Sequence, residues 1–312
     1  MSEAAARIPH PPRWEGSPDR RLAAPAAPGT HPLVDFTRRL IREKPLGAVG
    51  AAIFLTFLLA GILADVIAPY GVNETNMLRR LEAPNWDFWL GTDHLGRDVL
   101  SRILIGAQLS MIVGLLAAAL ATVVSIVLGV VSGYAGGKVD MVVQRMVDAW
   151  MTFPDLVLLI VVVSIVGPGV TQIVIILGLL YGIAGSRIVR GAVVSVRENM
   201  YTHASQSMGA RTLHVLWRHI LPNIMPVVIV LFTTRVGAVI LAEAGLSFLG
   251  LGVPPPAPTW GGMLSDSGRS YMYLGPWLAL APGLCLTVVV YAINVYGDAL
   301  RDLLDPRMRG SR

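Results

Sequence analysis

Few residues in this sequence have the type and spacing needed to act on a nucleotide phosphate. The chain contains only two lysines, Lys44 and Lys138, and neither completes a phosphate-binding loop of the form G-x-x-x-x-G-K-[ST]. Val139 follows Lys138 where a serine or threonine is required, and Ser132 stands where the first glycine should be. The chain therefore does not bind ATP by this device.

Nucleophilic catalysis needs a serine or cysteine held beside a base and an acid. Ser186, Ser195 and His203 are scattered over a basic stretch that offers no such partner. The lone cysteine, Cys285, lies in an apolar run, makes no internal disulfide and is interpreted as a small hydrophobic residue of a helix. We predict no catalytic residue, no cofactor and no enzymatic activity in this chain.

Asp93, His94 and Asp98 have side chains of the kinds that bind metal ions. Glycines flank this group, and Arg97 and Arg102 lie close by in the sequence. Such surroundings favour turn and helix-capping roles. We therefore predict no metal site here.

Arg235 lies near the middle of a long apolar stretch. An unpaired charge at the centre of a bilayer costs roughly 2.5–3.5 kcal/mol on insertion scales, so this side chain should face a water-filled cavity or a partner chain. Glu243 follows on about the same helix face, but the helical rise separates the two by about 12 Å, which strains a direct pair. Both are candidates for a translocation path, and Glu243 is alternatively a cap or a pairing residue near the outer interface.

The composition indicates the kind of element that carries these residues. Of the 312 residues, 54% are hydrophobic and 14% are charged, and the mean hydropathy is +0.62. Soluble domains carry roughly a quarter charged residues, so a bilayer is the natural solvent for this chain. The net charge of +5 comes from tails and short connections, and it is interpreted as a topology signal. We predict no nucleic-acid partner.

Six apolar stretches approach the length of about 20 residues that crosses a bilayer. They predict an all-α integral membrane protein with about six transmembrane helices, at 46–68, 108–133, 149–167, 170–186, 224–246 and 276–297. Gly167, Pro168 and Gly169 separate the third stretch from the fourth, which predicts a tight turn and an antiparallel helical hairpin.

The chain divides by composition into three parts. Residues 1–45 form a tail that is predicted to be cytoplasmic and largely disordered. Residues 46–107 contain the first span and an extracytoplasmic loop, and residues 108–312 contain five spans and a cytoplasmic segment at about 195–222. Lys and Arg concentrate in the tails and in alternate connections, which predicts that both termini are cytoplasmic.

The longest cytoplasmic connection carries a candidate docking surface. Helix-forming residues flank Gly209, and Pro222 marks the entry to the fifth span. Two short helices broken at the glycine would present three apolar side chains: Met208, Leu213 and Leu216. Such a face either lies in a partner's groove or rests on the membrane surface, and the pattern alone leaves both open.

The same connection resembles the coupling-helix signature of importer-type ABC permeases, E-A-A-x-x-x-G followed eleven residues later by I-L-P. Ala204, Gly209 and the run from Ile220 to Pro222 are in register, whereas His203 stands at the usual Glu and Ser205 at the usual Ala. The resemblance implies that the residues coupling this chain to an ATPase are His203, Ala204, Ser205, Met208, Gly209, Ala210, Leu213, Leu216, Ile220, Leu221 and Pro222.

Three further segments, Leu90–Arg102, Leu241–Gly252 and Gly297–Pro306, resemble dipeptide, oligopeptide and nickel permeases, and the likeness runs from about residue 33 to 309. With its long tail and one-span lead-in, the chain resembles the C-type permease subunit of such systems. The resemblance implies a type I ABC importer permease fold (MetI-like) in the plasma membrane.

The resemblance also implies a set of partners. They are a second homologous permease, two ATP-binding-cassette ATPases at the cytoplasmic face, an extracytoplasmic substrate-binding protein, membrane lipid and a peptide substrate. Nickel or another small solute is an alternative cargo. A stand-alone secondary transporter is a further alternative, and it would need intramembrane acids, for which Asp65 and Glu243 are the candidates near the ends of their spans.

Overall fold

The computed structural model describes residues 32–304, and within that range it contains helices and no strand. Contacts divide the chain into two units at the bond between Arg39 and Leu40. The helices are α1 (Pro32–Glu43), α2 (Pro45–Ile62), α3 (Ala64–Ile67), α4 (Val99–Ala135), α5 (Gly137–Met151), α6 (Asp155–Val166), α7 (Val170–Arg197), α8 (Met200–Ser207), α9 (Thr212–Val215), α10 (Leu221–Phe248), α11 (Trp260–Met263), α12 (Arg269–Tyr271) and α13 (Trp277–Leu304).

Helix α1 lies within the segment that the sequence predicted to be a largely disordered tail. Residues 32–43 of that segment are therefore helical, and Pro45 at the first position of α2 begins a new helix, as proline often does. The rest of the predicted tail, up to residue 31, lies outside the described residues.

Five helical segments are long and apolar enough to cross a membrane: α2, α4, α7, α13 and the continuous run Thr212–Phe248, which joins α9 to α10. A sixth is possible if α5 and α6, which meet at an angle of 86°, together make one broken span. The prediction of an all-α protein with about six transmembrane helices is therefore confirmed.

The sequence predicted the third span as one continuous helix over 149–167, but the structure breaks this segment into two helices. Helix α5 ends at Met151 and α6 begins at Asp155, because the ring of Pro154 disfavours helical backbone at the preceding residue and Pro154 itself is extended (ψ 129°). With 12 residues, α6 rises only about 18 Å, which is less than the roughly 30 Å of a hydrocarbon core.

The turn that joins α6 to α7 follows the predicted hairpin. Helix α6 ends at Val166 and α7 begins at Val170. Gly167 (φ +93°) takes the left-handed backbone conformation that favours glycine, so the chain reverses within three residues. This prediction is confirmed.

Helices α4 and α7 form the centre of the bundle, and small residues let their backbones approach closely. A Cβ atom on Gly182 of α7 would lie 2.7 Å from Cβ of Val124. A Cβ atom on Gly129 of α4 would lie 2.8 Å from the carbonyl oxygen of Ser186. Close contact through glycine is a common way to pack helices in lipid, because dispersion replaces the hydrophobic effect there.

Helix α2 packs on α13 in a similar way. A Cβ atom on Gly50 would lie 2.5 Å from the carbonyl oxygen of Ala292. Lys44, just before α2, donates a hydrogen bond of 2.5 Å to Asp302 near the end of α13. This ion pair joins the start of α2 to the end of α13.

Candidate functional site

The connection between α7 and α10 is built as two short helices, α8 and α9, followed by a π-helical turn at Leu216–Ile220. Gly209 separates α8 from α9 with φ +82°, a conformation that costs little only for glycine. The amide of Ala210 donates to the carbonyl of Ser205 (3.2 Å) and closes the end of α8. The predicted break at Gly209 is therefore confirmed.

The inner face of this connection is anchored in the bundle. The Thr202 hydroxyl is buried and donates to the carbonyl of Val196 at the end of α7 (3.0 Å). Val215 and Ile220 are fully buried in a cluster with residues of α7 and α10, among them Val189. The side chain of Ile220 thus holds the connection in place and is not available to a partner.

The side of this connection that points away from the bundle carries exposed apolar side chains. Met208 (82% exposed) and Leu213 (65% exposed) are presented as predicted. Leu216 differs from its prediction, because it is half-buried against the Val215 cluster. Its place is taken by Trp217, 67% exposed, which follows Leu213 by one helical repeat of four residues.

Met200, like Trp217, is an exposed apolar residue that was not predicted from the sequence. It is 89% exposed and begins α8. Met208 directly follows the last residue of α8, so exposed methionines stand at both ends of this helix. We call Met200, Met208, Leu213 and Trp217 the apolar docking face.

The other residues that the resemblance implied for coupling are distributed over both sides of the connection. His203, Ala204, Gly209 and Pro222 are exposed, Ala210 and Leu221 are half-buried, and Ser205 is buried. His203 therefore offers its imidazole outward at the position of the usual Glu. The sequence motif thus marks a folded unit, of which only part is accessible.

The polar residues before α4 form turns and a helix cap. Asp98 is the N-cap of α4, and its Oδ2 accepts from the amide of Ser101 at 2.8 Å. Asp93 accepts from the amides of Leu95 (2.8 Å) and Arg97 (3.0 Å) and from Nε of Arg97 (2.6 Å). The predicted turn and capping roles are confirmed. No cluster of three or more potential metal ligands occurs among residues 32–304.

Side chains of these turns contact the segment before α13. Arg97 approaches Asp266 with 3.7 Å between Nη2 and Oδ2, and His94 approaches the same carboxylate with 4.0 Å between Nε2 and Oδ1. The rings of His94 and Tyr271 stack with 5.3 Å between centroids. Two loops that are distant in sequence are therefore held together on one side of the bundle.

Glu243 lies in the protein interior. Its carboxylate is fully buried and accepts from the hydroxyls of Ser247 (2.7 Å) and Ser110 (3.4 Å). Ser110 also accepts from the amide of Trp260, whose indole Nε1 donates to the carbonyl of Ile103 (3.2 Å). These contacts join α4, α10 and α11, so Glu243 links helices and does not line the cavity described next.

A cavity of about 290 Å³ lies between α6, α7 and α10. Its lining includes Asp155, Tyr181 and Ala238 among leucine side chains. Arg235 lies one helical turn before Ala238, and its guanidinium stacks over the Tyr181 ring with 5.2 Å from Cζ to the centroid. The expectation that Arg235 faces a cavity or a partner is consistent with this position beside the cavity wall.

Comparison with known proteins identifies the family. The family model described as "Binding-protein-dependent transport system inner membrane component" matches residues 125–310. The chain belongs to this family. A second model, described as the "N-terminal TM domain of oligopeptide transport permease C", matches residues 32–84. The chain is thus an inner-membrane transport component with multiple spans, as the sequence resemblance implied.

Several relatives of this inner-membrane component are similar over most of their length. A probable peptide ABC transporter permease protein, y4tQ, of Sinorhizobium fredii is 41% identical over 91% of this chain and 95% of its own. The dipeptide transport system permease protein DppC of Alkalihalophilus pseudofirmus is 38% identical over 86% and 88%. The glutathione transport system permease protein GsiD of Pectobacterium atrosepticum is 38% identical over 89% and 92%.

Solved structures show the same fold. A chain of the MetNI methionine ABC transporter, in an inward-facing crystal form, superposes with a TM-score of 0.54 at 19% identity. The match covers 65% of this chain and 96% of that one. The predicted type I importer permease fold is confirmed. The segment 32–84 belongs to the separate N-terminal match and extends the permease component before α4.

Proposed function

We propose that this chain is one of two permease subunits of an ABC importer that moves dipeptides or short oligopeptides across the plasma membrane. The observation that carries this proposal is the joint match to the oligopeptide permease N-terminal model over 32–84 and to the transport-component model over 125–310. Relatives with dipeptide or peptide permease in their names, at 38–41% identity, support the same cargo.

ATP hydrolysis belongs to two partner ATPases in this proposal. The apolar docking face supports it, because four large side chains are exposed on a unit whose inner face is anchored to α7 and α10. Such a rigid helical projection suits the groove of a soluble partner. His203 and Ala204 lie exposed between these side chains and would contact the same ATPase.

The proposed orientation puts both termini and the apolar docking face in the cytoplasm, in agreement with the distribution of Lys and Arg. The connections at 68–98 and 249–276 then face outward, where an extracytoplasmic binding protein delivers the peptide. Their connection through Arg97 and Asp266 supports a stable docking platform. ATP-driven closure of the ATPases rocks the two permeases between outward-open and inward-open forms.

The test is transport by the complete system in proteoliposomes. The chain is co-expressed with the second permease, both ATPases and the binding protein, and uptake of a labelled dipeptide is measured with ATP inside or absent. We expect uptake that requires both ATP and the binding protein. Uptake of Ni²⁺ in place of the dipeptide would make nickel the cargo. A chain that purifies alone and conducts solute without an ATPase would be a secondary transporter, and the proposal would be abandoned.

A further inference from the structure

Two opposite charges lie beside the cavity between α6, α7 and α10: Asp155, which lines it and is exposed, and Arg235, which is half-buried. Arg235 is near the middle of α10, about 20 Å from either end by helical rise. Tyr181, which it stacks on, is near the middle of α7. Asp155 lies at the same cavity because α6 begins there, after the break at Pro154. In a continuous third span this acid would lie near the end of the helix.

The two charges are near each other but are not paired. Asp155 and Tyr181 line the same cavity, and Arg235 stacks on Tyr181. However, neither Asp155 nor Arg235 takes part in an ion pair among the described residues 32–304. The buried Nε of Arg235 has no hydrogen-bond partner there. A charge inside a membrane costs roughly 2.5–3.5 kcal/mol, and direct pairing would lower that cost. Two such charges held apart at one cavity indicate that something else satisfies them.

A guanidinium and a carboxylate at one cavity could bind the two ends of a small zwitterion. A guanidinium binds a carboxylate through two parallel hydrogen bonds, and an aspartate accepts hydrogen bonds from an ammonium group. Leu159 and Leu177 supply the apolar wall between the charged ends. The volume of about 290 Å³ is at the lower end for ligand pockets, which hold about 300–1,000 Å³.

We infer that this cavity is a binding subsite for small zwitterionic peptides on the translocation path, in which Arg235 and Tyr181 receive the carboxylate and Asp155 receives the ammonium group. The inference rests on the proposed function, since it deepens the assignment of a peptide cargo. The permease itself would then select peptides by their charged termini, separately from any selection by the binding protein. Broken membrane helices often form such midplane sites in transporters.

The test measures occupancy of the cavity without transport. Ala238 lines the cavity and is replaced by cysteine in a Cys285→Ser background, within the complex assembled with its partners but without binding protein. Labelling of this cysteine by a methanethiosulfonate reagent is followed with alanyl-alanine present, and with N-acetyl-alanyl-alanine amide as the uncharged matched compound. We expect alanyl-alanine at millimolar concentration to slow labelling at least threefold and the blocked compound to leave the rate unchanged.

Substitution of the charges identifies the groups that hold the ligand. Arg235→Gln and Asp155→Asn should each abolish protection by alanyl-alanine, whereas Arg235→Lys should retain part of it. Equal protection by both compounds, protection unaffected by these substitutions, or no protection at all would overturn the subsite. If Ala238→Cys prevents assembly, Leu241→Cys reports on the same cavity.

The outcome is distinguishable from failure of the proposed function. ATP-driven dipeptide uptake with no protection at residue 238 would leave the importer standing and remove the subsite. Protection without any ATP-driven uptake would keep the subsite and remove the importer. In the native system with binding protein, Arg235→Gln should lower dipeptide uptake at least threefold while ATP hydrolysis remains stimulated. A merely structural role would lower both together.

Discussion

Arg190 of α7 donates a hydrogen bond of 2.5 Å from Nε to Oδ1 of Asp140 in α5. Eight residues further along α5, Asp148 pairs with Arg187, which lies one turn before Arg190 on α7. These two pairs hold the broken third span against its neighbour, although α5 and α6 meet at 86°. Helix α6 is held separately, because its Leu159 and Val163 are buried in the main core with residues of α7.

Removal of the first of these pairs should loosen α5. We expect Asp140→Asn to lower the stability of the purified complex by about 0.5–1 kcal/mol, since the pair is partly exposed. Arg190→Gln should add little to it in a double-mutant cycle. The measurement is the thermal midpoint in detergent. Lys138→Gln is the matched control, because Lys138 is an exposed cation of the same helix and takes no part in either pair. A loss as large in the control would contradict the interpretation.

The apolar docking face should decide ATPase coupling. A carboxylate introduced by Leu213→Asp or Trp217→Asp would be buried without a partner at the interface, and central interface residues typically contribute about 2 kcal/mol or more. We expect ATPase affinity to fall at least tenfold in pull-down titrations. Leu274→Asp is the control, since Leu274 is 70% exposed but lies in the loop before α13. Unchanged affinity in both docking variants would exclude this face as the ATPase contact.

The buried carboxylate of Glu243 should stabilise the contact between α4 and α10. Glu243→Ala leaves the Ser247 and Ser110 hydroxyls without their acceptor and opens a cavity, so we expect a loss of about 2–4 kcal/mol. Glu243→Gln keeps an oxygen in place and should lose less than half of that. Thermal unfolding of both variants checks the order. If Glu243→Gln and Glu243→Ala lower the free energy of unfolding equally, the hydrogen bonds are not the source of the stability.

Close packing of α4 and α7 should not tolerate a larger residue at Gly182. Cβ of an alanine there would approach Cβ of Val124 to 2.7 Å, and overpacking of this kind costs typically about 1–3 kcal/mol. Gly191 lies in the same helix with no atom within 4 Å of the added Cβ. Gly191→Ala is thus the control and should be neutral or stabilising, because alanine favours helix. Thermal midpoints of both variants distinguish packing from helix propensity.

The connection before α4 should lose order in acid. Arg79 donates to both carboxylate oxygens of Glu82 (2.6 and 3.0 Å), which holds the pKa of Glu82 below its ordinary value of 4.5. A lowered folded-state pKa stabilises the loop above the unfolded pKa, and this contribution disappears as pH falls through the folded value. We expect amide exchange of residues 79–92, corrected for intrinsic rates, to accelerate below about pH 4. Arg79→Gln should remove that dependence on pH.

The sequence by itself determined the local features of this protein. The length of the apolar stretches determined the spans, because a bilayer requires internally hydrogen-bonded helices of a given length. The Asp98 cap, the turn after Val166 and the break at Gly209 also depend on neighbouring residues alone. The family motifs around Gly209 and Pro222 identified the kind of protein, since they are read from residue order and spacing.

Only the tertiary structure decided which side chains meet. Periodicity could not show that Leu216 turns inward while Trp217 turns outward, because that depends on where the Val215 cluster lies. Spacing along α10 could not show that the partners of Glu243 are hydroxyls on α4 and α10. Asp155 carried no signal in the sequence, because its place at the cavity follows from how α6 packs on α7 and α10. Each of these outcomes depends on contacts between helices far apart in the chain, and residue spacing within one helix does not contain that information.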